Sequence, residues 1–107
     1  PAPLRDGPVR VAVTTGGGSP AVSRHLRDEL AATVDGAGLV AAVVADLRTE
    51  LAERVDDPTT RRDAVRAVAE SAAVWTAARE TGTEASVRRA ARTVLAAALD
   101  DAADGGA

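Results

Sequence analysis

Apolar side chains recur along this chain first at every second residue and then with the three-to-four-residue period of a helix. Val9, Val11 and Val13 alternate with small or charged residues, which is typical of a β-strand. Residues 1–8 contain three prolines and an Asp-Gly pair, which exclude a helix and indicate a turn. We therefore predict a β segment over residues 1–15, either a strand pair or one strand preceded by an extended arm.

Three glycines at residues 16–18 end the strand pattern, and a helix start follows. Ser19 is a favoured N-cap residue, and Pro20 suits the first helical position because its missing N–H would have no partner there. Gly36 is placed just past the end of this first helix. The predicted apolar stripe comprises Val22, Leu26 and Leu30, opposite Arg24, Arg27 and Asp28.

The strongest helical period lies in residues 38–55 and predicts a second helix. Asp57 and Pro58 then provide a cap and a first-turn residue for a third helix that continues towards Arg79. The apolar stripe of the second helix comprises Val40, Val43, Val44, Leu47, Leu51 and Val55, and that of the third comprises Val65, Val68, Ala72 and Trp75.

Gly82 interrupts the third helix, and Thr83 with Glu84 opens a fourth. Residues 101–107 are predicted to form a fraying acidic tail. The sequence thus predicts one mainly α domain, with a β segment (1–15), a glycine loop (16–20), about four amphipathic helices (20–100) and the tail. The inward positions of the fourth helix are Val87, Ala91, Val94, Leu95 and Leu99, with Arg88, Arg89 and Arg92 outward.

The composition makes a second copy of the chain an expected partner. Hydrophobic residues form 46% of the 107, but they are mostly Ala, Val and Leu, and Trp75 is the only aromatic residue. Each small side chain buries little apolar area, and buried apolar area contributes roughly 25 cal/mol per Å² to stability. We therefore expect a lone monomer to be only marginally stable. An unpaired strand edge would also invite a partner. We expect an intertwined homodimer.

Charge and cysteine content exclude several classes of protein. The formal net charge of −3 argues against a general nucleic-acid binder, and the absence of cysteine excludes a disulfide framework. No segment is typical of a signal peptide or a membrane span, so we expect a cytoplasmic protein without a membrane partner. Because the chain begins at Pro1 rather than Met, we interpret it as a segment of a longer protein.

The glycine loop is the sharpest candidate site. A strand, three glycines and a helix N-terminus bring free backbone N–H groups to the positive end of a helix dipole, which favours an anion. A tight turn without ligand is the alternative. No Lys follows the glycines, as a P-loop requires, and the G-x-G-x-x-G spacing of a dinucleotide site is missing. The hydroxyls of Thr14, Thr15 and Ser19 would bind a ligand carboxylate or cap the turn.

The remaining candidates favour structural roles. His25 is the only histidine, and without cysteine a metal site would need carboxylates such as Asp28 or Glu29, so no metal is expected. Trp75 is interpreted as a core anchor, with an interface contact as the alternative. A salt-bridged face is favoured over a ligand or nucleic-acid contact for two arginine groups, which are Arg61, Arg62 and Arg66, and Arg88, Arg89 and Arg92.

Residues 11–20 read Val-Ala-Val-Thr-Thr-Gly-Gly-Gly-Ser-Pro and are followed by Arg24, Leu26 and Arg27. This segment resembles the V-A-V-S-[ST]-G-G-x-S-P…A-R-x-[LI]-R run of the siroheme synthase/precorrin-2 dehydrogenase family. The resemblance implies a two-domain enzyme that oxidises precorrin-2 to sirohydrochlorin with NAD⁺, and some members also insert Fe²⁺. It also implies that an N-terminal domain binds NAD, while the helical domain present here forms the homodimer and closes one side of the tetrapyrrole cleft.

The resemblance also implies roles for particular residues. Thr15 falls where the family often has a serine that lines the cleft, and Arg24 and Arg27 match arginines that would meet substrate carboxylates. His25 falls where the family has an apolar residue, which disfavours a chelatase role. The family's catalytic aspartate and dinucleotide glycines lie upstream of Pro1, so this chain alone is expected to be inactive and to bind no NAD. The implied substrate-binding residues are Thr14, Thr15, Gly16, Gly17, Ser19, Arg24 and Arg27.

Three functions therefore stand at the level of sequence. The favoured one is an enzyme portion that supplies a dimer interface and part of a tetrapyrrole site. The second is a stand-alone helical dimerisation module without catalysis. The third, a small nucleic-acid-binding domain that uses the arginine groups, is disfavoured by net charge and by the glycine loop.

Overall fold

The computed structural model describes residues 3–105 and begins with a β-hairpin. Strands β1 (Leu4–Asp6) and β2 (Val9–Val11) pair antiparallel, with Leu4 opposite Val11. Gly7 has a φ of 55°, and Pro8 fixes a negative φ after it, which is the pattern of a type II′ turn. The predicted strand pair is confirmed, but β2 ends at Val11 and the chain is irregular up to α1. Pro1 and Ala2, part of the predicted segment, lie outside the described residues.

Five α-helices follow the hairpin, which confirms the mainly α fold class. The last four form a bundle in which α5 packs against the other three and α2 packs against α3 and α4. The described chain is elongated, with extents of 55 × 29 × 20 Å. The helices are α1 (Pro20–Val34), α2 (Ala37–Arg54), α3 (Pro58–Ala69), α4 (Ala72–Glu80) and α5 (Glu84–Gly105).

The hydrophobic core lies inside the α2–α5 bundle and follows the predicted stripe of α2. Val43, Leu47 and Leu51 are fully buried, while Val44 and Val55 lie at the edge of the core. On α5, Val87, Ala91 and Leu95 are buried, as predicted, at three-to-four-residue spacing. The strongest periodic signals of the sequence thus became the centre of the fold.

The prediction of one helix from Pro58 to Arg79 was wrong, because the chain breaks at Glu70 and Ser71. The Ser71 hydroxyl accepts a hydrogen bond from the Val74 N–H at 3.4 Å and begins α4. The break changes the register: Val74 is buried, whereas Ala72, which the predicted stripe placed inside, is exposed. A serine cap inside an apolar period therefore outweighed the period.

The single tryptophan bridges this break. The Trp75 indole N–H donates to the Ala69 carbonyl, the last residue of α3, at 2.7 Å. Its half-buried ring packs against the core, and the Arg79 guanidinium lies 5.0 Å from the ring centroid, within range of a cation–π interaction. Trp75 thus serves as a core anchor that also holds two helices in register.

Gly82 and Thr83 separate α4 from α5 as predicted. Gly82 has a φ of 65°, and the Thr83 hydroxyl accepts from the Ser86 N–H at 3.3 Å at the start of α5. The helix then continues to Gly105, beyond the predicted end at residue 100, and its last five described residues are exposed. Residues 106 and 107 of the predicted tail lie outside the described residues.

Helix α1 differs from the other helices because its apolar stripe is not packed within the chain. Val22 is 50% exposed and Leu26 is 43% exposed, and Val34 is the only residue of α1 that is buried. The predicted apolar stripe of α1 is therefore not a core stripe: Val22 and Leu26 are exposed, and Leu30 is only half-buried. Helix α1 packs mainly on β1, a surface too small to cover its apolar side.

The hairpin and the bundle are joined at the turn between α1 and α2. The Asp6 carboxylate, at the end of β1, accepts hydrogen bonds from the Gly36 N–H at 2.9 Å and the Gly38 N–H at 2.7 Å. These N–H groups lie at the N-terminus of α2, where a negative charge is stabilised. Gly36 has a φ of 88°, so the chain turns there through a conformation that glycine adopts without strain.

A second contact holds the end of α1 against the bundle. Arg79 of α4 donates to the Asp35 carbonyl at 3.0 Å and to the Thr33 carbonyl at 2.8 Å. Both are terminal carbonyls of α1 without a helical partner, and a cation stabilises that end of the helix dipole.

Among the described helices none is by itself long and apolar enough to cross a bilayer. Only α1 and α2 taken together reach that length and composition, and they are bent by 45° relative to each other.

Candidate functional site

A cavity of about 810 Å³ lies between the hairpin, residues 12–18 and one side of α1. One wall is apolar and is formed by the hairpin and the segment after it. The other wall is polar and comes from α1 together with the two threonines that precede the glycine turn. The apolar wall includes Leu4, Val11 and Val13, and the polar lining includes Thr14, Thr15, Ser23, Arg24, Arg27 and Asp28.

The side of α1 that faces the cavity is its polar side. Ser23, Arg24 and Arg27 are spaced by one and by three to four residues, so they share one helix face. Val22 and Leu26 lie outside the cavity lining, and both are exposed. The usual arrangement of an amphipathic helix is thus changed: the polar side of α1 borders the cavity, and its apolar residues are left uncovered.

The glycine loop closes one end of the cavity as a β-turn. The Gly18 N–H donates to the Thr15 carbonyl at 3.4 Å, and Gly17 has a φ of 97°, as the third residue of a type II turn requires. A Cβ on Gly18 would overlap the Thr15 hydroxyl. That hydroxyl lies 3.2 Å from the Ser23 hydroxyl, so the turn and α1 are joined at the cavity wall.

Helix α1 begins where the sequence predicts, but its cap differs. Ser19 has the extended backbone of an N-cap, and its carbonyl accepts from the Val22 and Ser23 N–H groups at 3.1 and 3.2 Å. Its hydroxyl makes no capping hydrogen bond. The helix N-terminus is therefore not neutralised by its own cap residue, unlike that of α3, where the Asp57 side chain accepts from two backbone N–H groups.

The structure brings four of the seven predicted substrate-binding residues to one cavity. Thr14, Thr15, Arg24 and Arg27 line it, whereas the turn residues Gly16 and Gly17 and the cap residue Ser19 lie outside the lining. The sequence interpretation missed Ser23, Asp28, Gly18 and the valine wall. The spacing of Ser23 four residues before Arg27 could have indicated the first of these, because such positions share a helix face.

The cavity arginines differ electrostatically from those of the bundle. Within residues 3–105, Arg24 and Arg27 make no ion pair, whereas Arg88 pairs with Asp46 at 2.8 Å and Arg92 with Glu50 at 3.0 Å. The hydrogen bond from Arg92 holds the pKa of the Glu50 carboxyl below its ordinary value. The predicted salt-bridged face is confirmed for Arg88 and Arg92, but within residues 3–105 it is not found for the other group, Arg61, Arg62 and Arg66. The guanidinium groups at the cavity are available to carboxylates.

The described part of the chain contains neither a cluster of metal-binding side chains nor a dinucleotide-binding turn. His25 is exposed on α1, and residues 3–105 contain no group of three or more His, Asp or Glu side chains that could hold a metal ion. A dinucleotide-binding fold places its glycine turn after a parallel strand of a βαβ unit. Here the glycine turn follows an antiparallel hairpin. These residues therefore do not fit NAD.

The cavity coincides with the segment that known proteins share with this chain. Residues 6–33 match the family described as "Sirohaem biosynthesis protein central", and they run from the end of β1 through the glycine turn almost to the end of α1. No curated protein and no solved structure matches the chain. The match covers 28 of the 107 residues, so it shows a likeness to siroheme-biosynthesis proteins within this segment.

Proposed function

We propose that this chain is the central-to-C-terminal region of an NAD-dependent precorrin-2 dehydrogenase and forms one wall of its tetrapyrrole cleft. One observation carries the proposal: the segment matched by the siroheme family supplies the lining of the cavity apart from Leu4. The cavity is large enough for much of a tetrapyrrole, since small-molecule sites measure about 300–1,000 Å³. The apolar and cationic walls suit a flat ring that carries carboxylates.

The described residues would bind and orient the substrate. The guanidinium groups of Arg24 and Arg27 would donate paired hydrogen bonds to acetate or propionate carboxylates. Val11 and Val13 would pack on the ring, and the hydroxyls of Thr14 and Thr15 would bond its polar edge. None of these groups can accept a hydride, so the proposal assigns NAD and the catalytic carboxylate to a preceding domain.

The proposal includes a homodimer through the apolar face of α1. Val22 and Leu26 form an exposed pair on a helix whose polar side faces the cavity. A two-fold contact would bury this face against its own copy. It would also place two cavities in one assembly, each supported by an α1 that is no longer exposed. Dimerisation without substrate binding would instead favour a non-catalytic dimerisation module.

The dimer is tested by Leu26→Asp, with Ala96→Asp on the exposed side of α5 as the control. A buried unpaired carboxylate is costly, so Leu26→Asp should raise the dimer dissociation constant at least about tenfold. Ala96→Asp should leave it unchanged. Sedimentation equilibrium measures both values, and a wild-type chain that stays monomeric at high concentration would contradict this part of the proposal.

Substrate binding is tested with sirohydrochlorin, the coloured product of the proposed reaction, titrated into the 107-residue chain. The double variant Arg24→Gln/Arg27→Gln should weaken binding about 10- to 100-fold, because hydrogen bonds to charged groups contribute about 1.5–3 kcal/mol. The matched control, Arg10→Gln/Arg89→Gln, removes the same charge away from the cavity. Equal affinity in both double variants would refute the site.

Catalysis requires the longer protein. The 107-residue chain is expected to show no turnover of precorrin-2 with NAD⁺. In a chain that includes the preceding domain, Thr15→Val should raise the KM for precorrin-2 while leaving the fold intact, because it removes the hydroxyl beside Ser23 but keeps the branched shape. Turnover by the short chain, or unchanged kinetics of Thr15→Val, would each contradict the assignment concerned.

A further inference from the structure

The two arginine groups of the bundle have different surroundings. On α5, Arg88 and Arg92 face carboxylates of α2 and form ion pairs. On α3, Arg61 and Arg62 face the last turns of α2, where the chain presents a different arginine, Arg48, rather than an acid. Arg88 and Arg92 are neutralised by carboxylates of the same chain, whereas Arg61 and Arg62 are left positive on a chain whose net charge is −3.

These three arginines line a pocket of about 360 Å³ between α2 and α3. Its floor is apolar and includes Leu51, which is fully buried, and Val65, which is half-buried. No carboxylate lines it. Asp57, which precedes the lining residue Pro58, is engaged elsewhere: its carboxylate accepts hydrogen bonds from the backbone and hydroxyl of Thr60. Asp63, the neighbour of Arg62, is exposed and lies outside the lining.

Arg61 fixes one wall of the pocket. Its Nη1 donates to the Val55 carbonyl at 2.6 Å and to the Asp56 carbonyl at 2.9 Å. These bonds satisfy carbonyl groups at the end of α2, and they hold the guanidinium in place before any ligand arrives. A positioned arginine loses less side-chain entropy on binding than a mobile one.

Arg48 and Arg62 supply charge that the protein does not use. In the described part of the chain neither forms an ion pair or a side-chain hydrogen bond, and both are exposed. Residues three and four positions away from each on its helix carry no carboxylate, so no local pair can form. Their guanidinium groups remain free for an oxyanion in the two-pronged geometry that arginine favours.

We propose that this pocket binds a small organic oxyanion, a phosphate or carboxylate group carried on a compact apolar body. The arginines would hold the oxyanion, and the apolar floor would cover the body. The pocket shares no lining residue with the larger cavity. Arg48 lies ten residues along α2 from Gly38, where the hairpin is bound, which is about 15 Å of helix. The site is thus separate from the proposed tetrapyrrole wall.

The test titrates the 107-residue chain with phenyl phosphate and, separately, with benzoate, and follows backbone amide shifts by NMR. The variant Arg48→Gln/Arg62→Gln should weaken binding at least tenfold, and the control Arg10→Gln/Arg89→Gln should bind as the wild type does. Arg61 is left intact because it supports the end of α2. Circular dichroism of both variants checks that the helices are retained.

The outcomes separate the two carriers of the oxyanion. Tighter binding of phenyl phosphate would identify a phosphorylated ligand, and tighter binding of benzoate a carboxylate; either supports the proposal if the shifts cluster at residues 48–65. Shifts without saturation, or equal affinity in the two double variants, would overturn it. Inorganic phosphate bound as tightly as phenyl phosphate would also overturn it, because the apolar floor would then contribute nothing.

Discussion

The α2–α5 bundle and the hairpin–α1 arm are built on opposite principles. In the bundle, apolar stripes of four helices meet in one core, and the outward arginines of α5 are paired with acids of α2. In the arm, the polar side of α1 faces a cavity and its apolar side is exposed. The bundle contains the hydrophobic core, whereas the arm carries the candidate site and an uncovered apolar pair.

Truncation of a core side chain should give the largest difference between the two regions in the free energy of unfolding. Leu47→Ala removes a fully buried side chain and should lower the free energy of unfolding by about 2–5 kcal/mol. Leu26→Ala, on the exposed face of α1, should change that of the monomer by no more than about 0.5 kcal/mol. Urea denaturation at low protein concentration measures both. Similar losses would show that α1 is packed as tightly as the bundle.

The turn between the regions should be the next most sensitive point. Gly36→Ala places a side chain on a backbone with a φ of 88° and brings its Cβ within 2.9 Å of the Ala78 Cβ; the expected loss is about 2–3 kcal/mol. Gly82→Ala is the matched control, since Gly82 also has a positive φ but open space around it. It should cost only about 1 kcal/mol. If thermal denaturation showed equal destabilisation of the two variants, close contact with α4 would not explain the cost of Gly36→Ala.

Loss of Asp6 should release the arm without unfolding the bundle. Asp6→Ala removes two hydrogen bonds to the N-terminus of α2, and a bond to a charged group contributes about 2 kcal/mol. Amide hydrogen exchange at Gly36 and Gly38 should accelerate, while exchange in the core of α2 stays slow. Asp101→Ala, at the exposed end of α5, is the control. Uniform acceleration along α2 would mean that the two regions unfold together.

The smallest effect concerns pH and belongs to the bundle surface. Arg92 holds the pKa of Glu50 below its ordinary value of 4.5, so the folded chain binds this proton more weakly than the unfolded chain. The stabilisation is therefore complete above pH 4.5 and disappears as the pH falls through the folded pKa. Glu50→Gln should be less stable than the wild type at pH 7, and the difference should vanish under acid. A gap that is constant with pH would contradict this.

Sequence patterns predicted the bundle better than the arm, for a physical reason. A buried stripe such as Val43, Leu47 and Leu51 is visible in the sequence as a helical apolar period, because only apolar residues are stable at buried positions. The stripe of α1 carries the same signal, yet Val22 and Leu26 are exposed, since periodicity does not say whether the covering surface belongs to the same chain. At Ser71, a local cap outweighed the period.

The candidate site was accessible to sequence reasoning only through its local signals. Thr14, Thr15, Arg24 and Arg27 stood in a recognisable segment, and they line the cavity. The hairpin wall depends on the pairing of β1 with β2, which places Leu4 opposite Val11 at the cavity. The pocket between α2 and α3 required the relative placement of Arg48 and Arg62 on two helices, which no single-helix pattern contains.

The close approach of Gly18 to the Thr15 hydroxyl links two positions that would otherwise vary independently. A side chain at position 18 and the hydroxyl at position 15 compete for the same space, so a residue other than glycine at position 18 requires the hydroxyl to rotate away or the turn to shift. In a related protein with a side chain at position 18, we therefore expect the contact between the hydroxyls of positions 15 and 23 to be lost. The residue at position 18 would thus decide whether the turn is tied to α1.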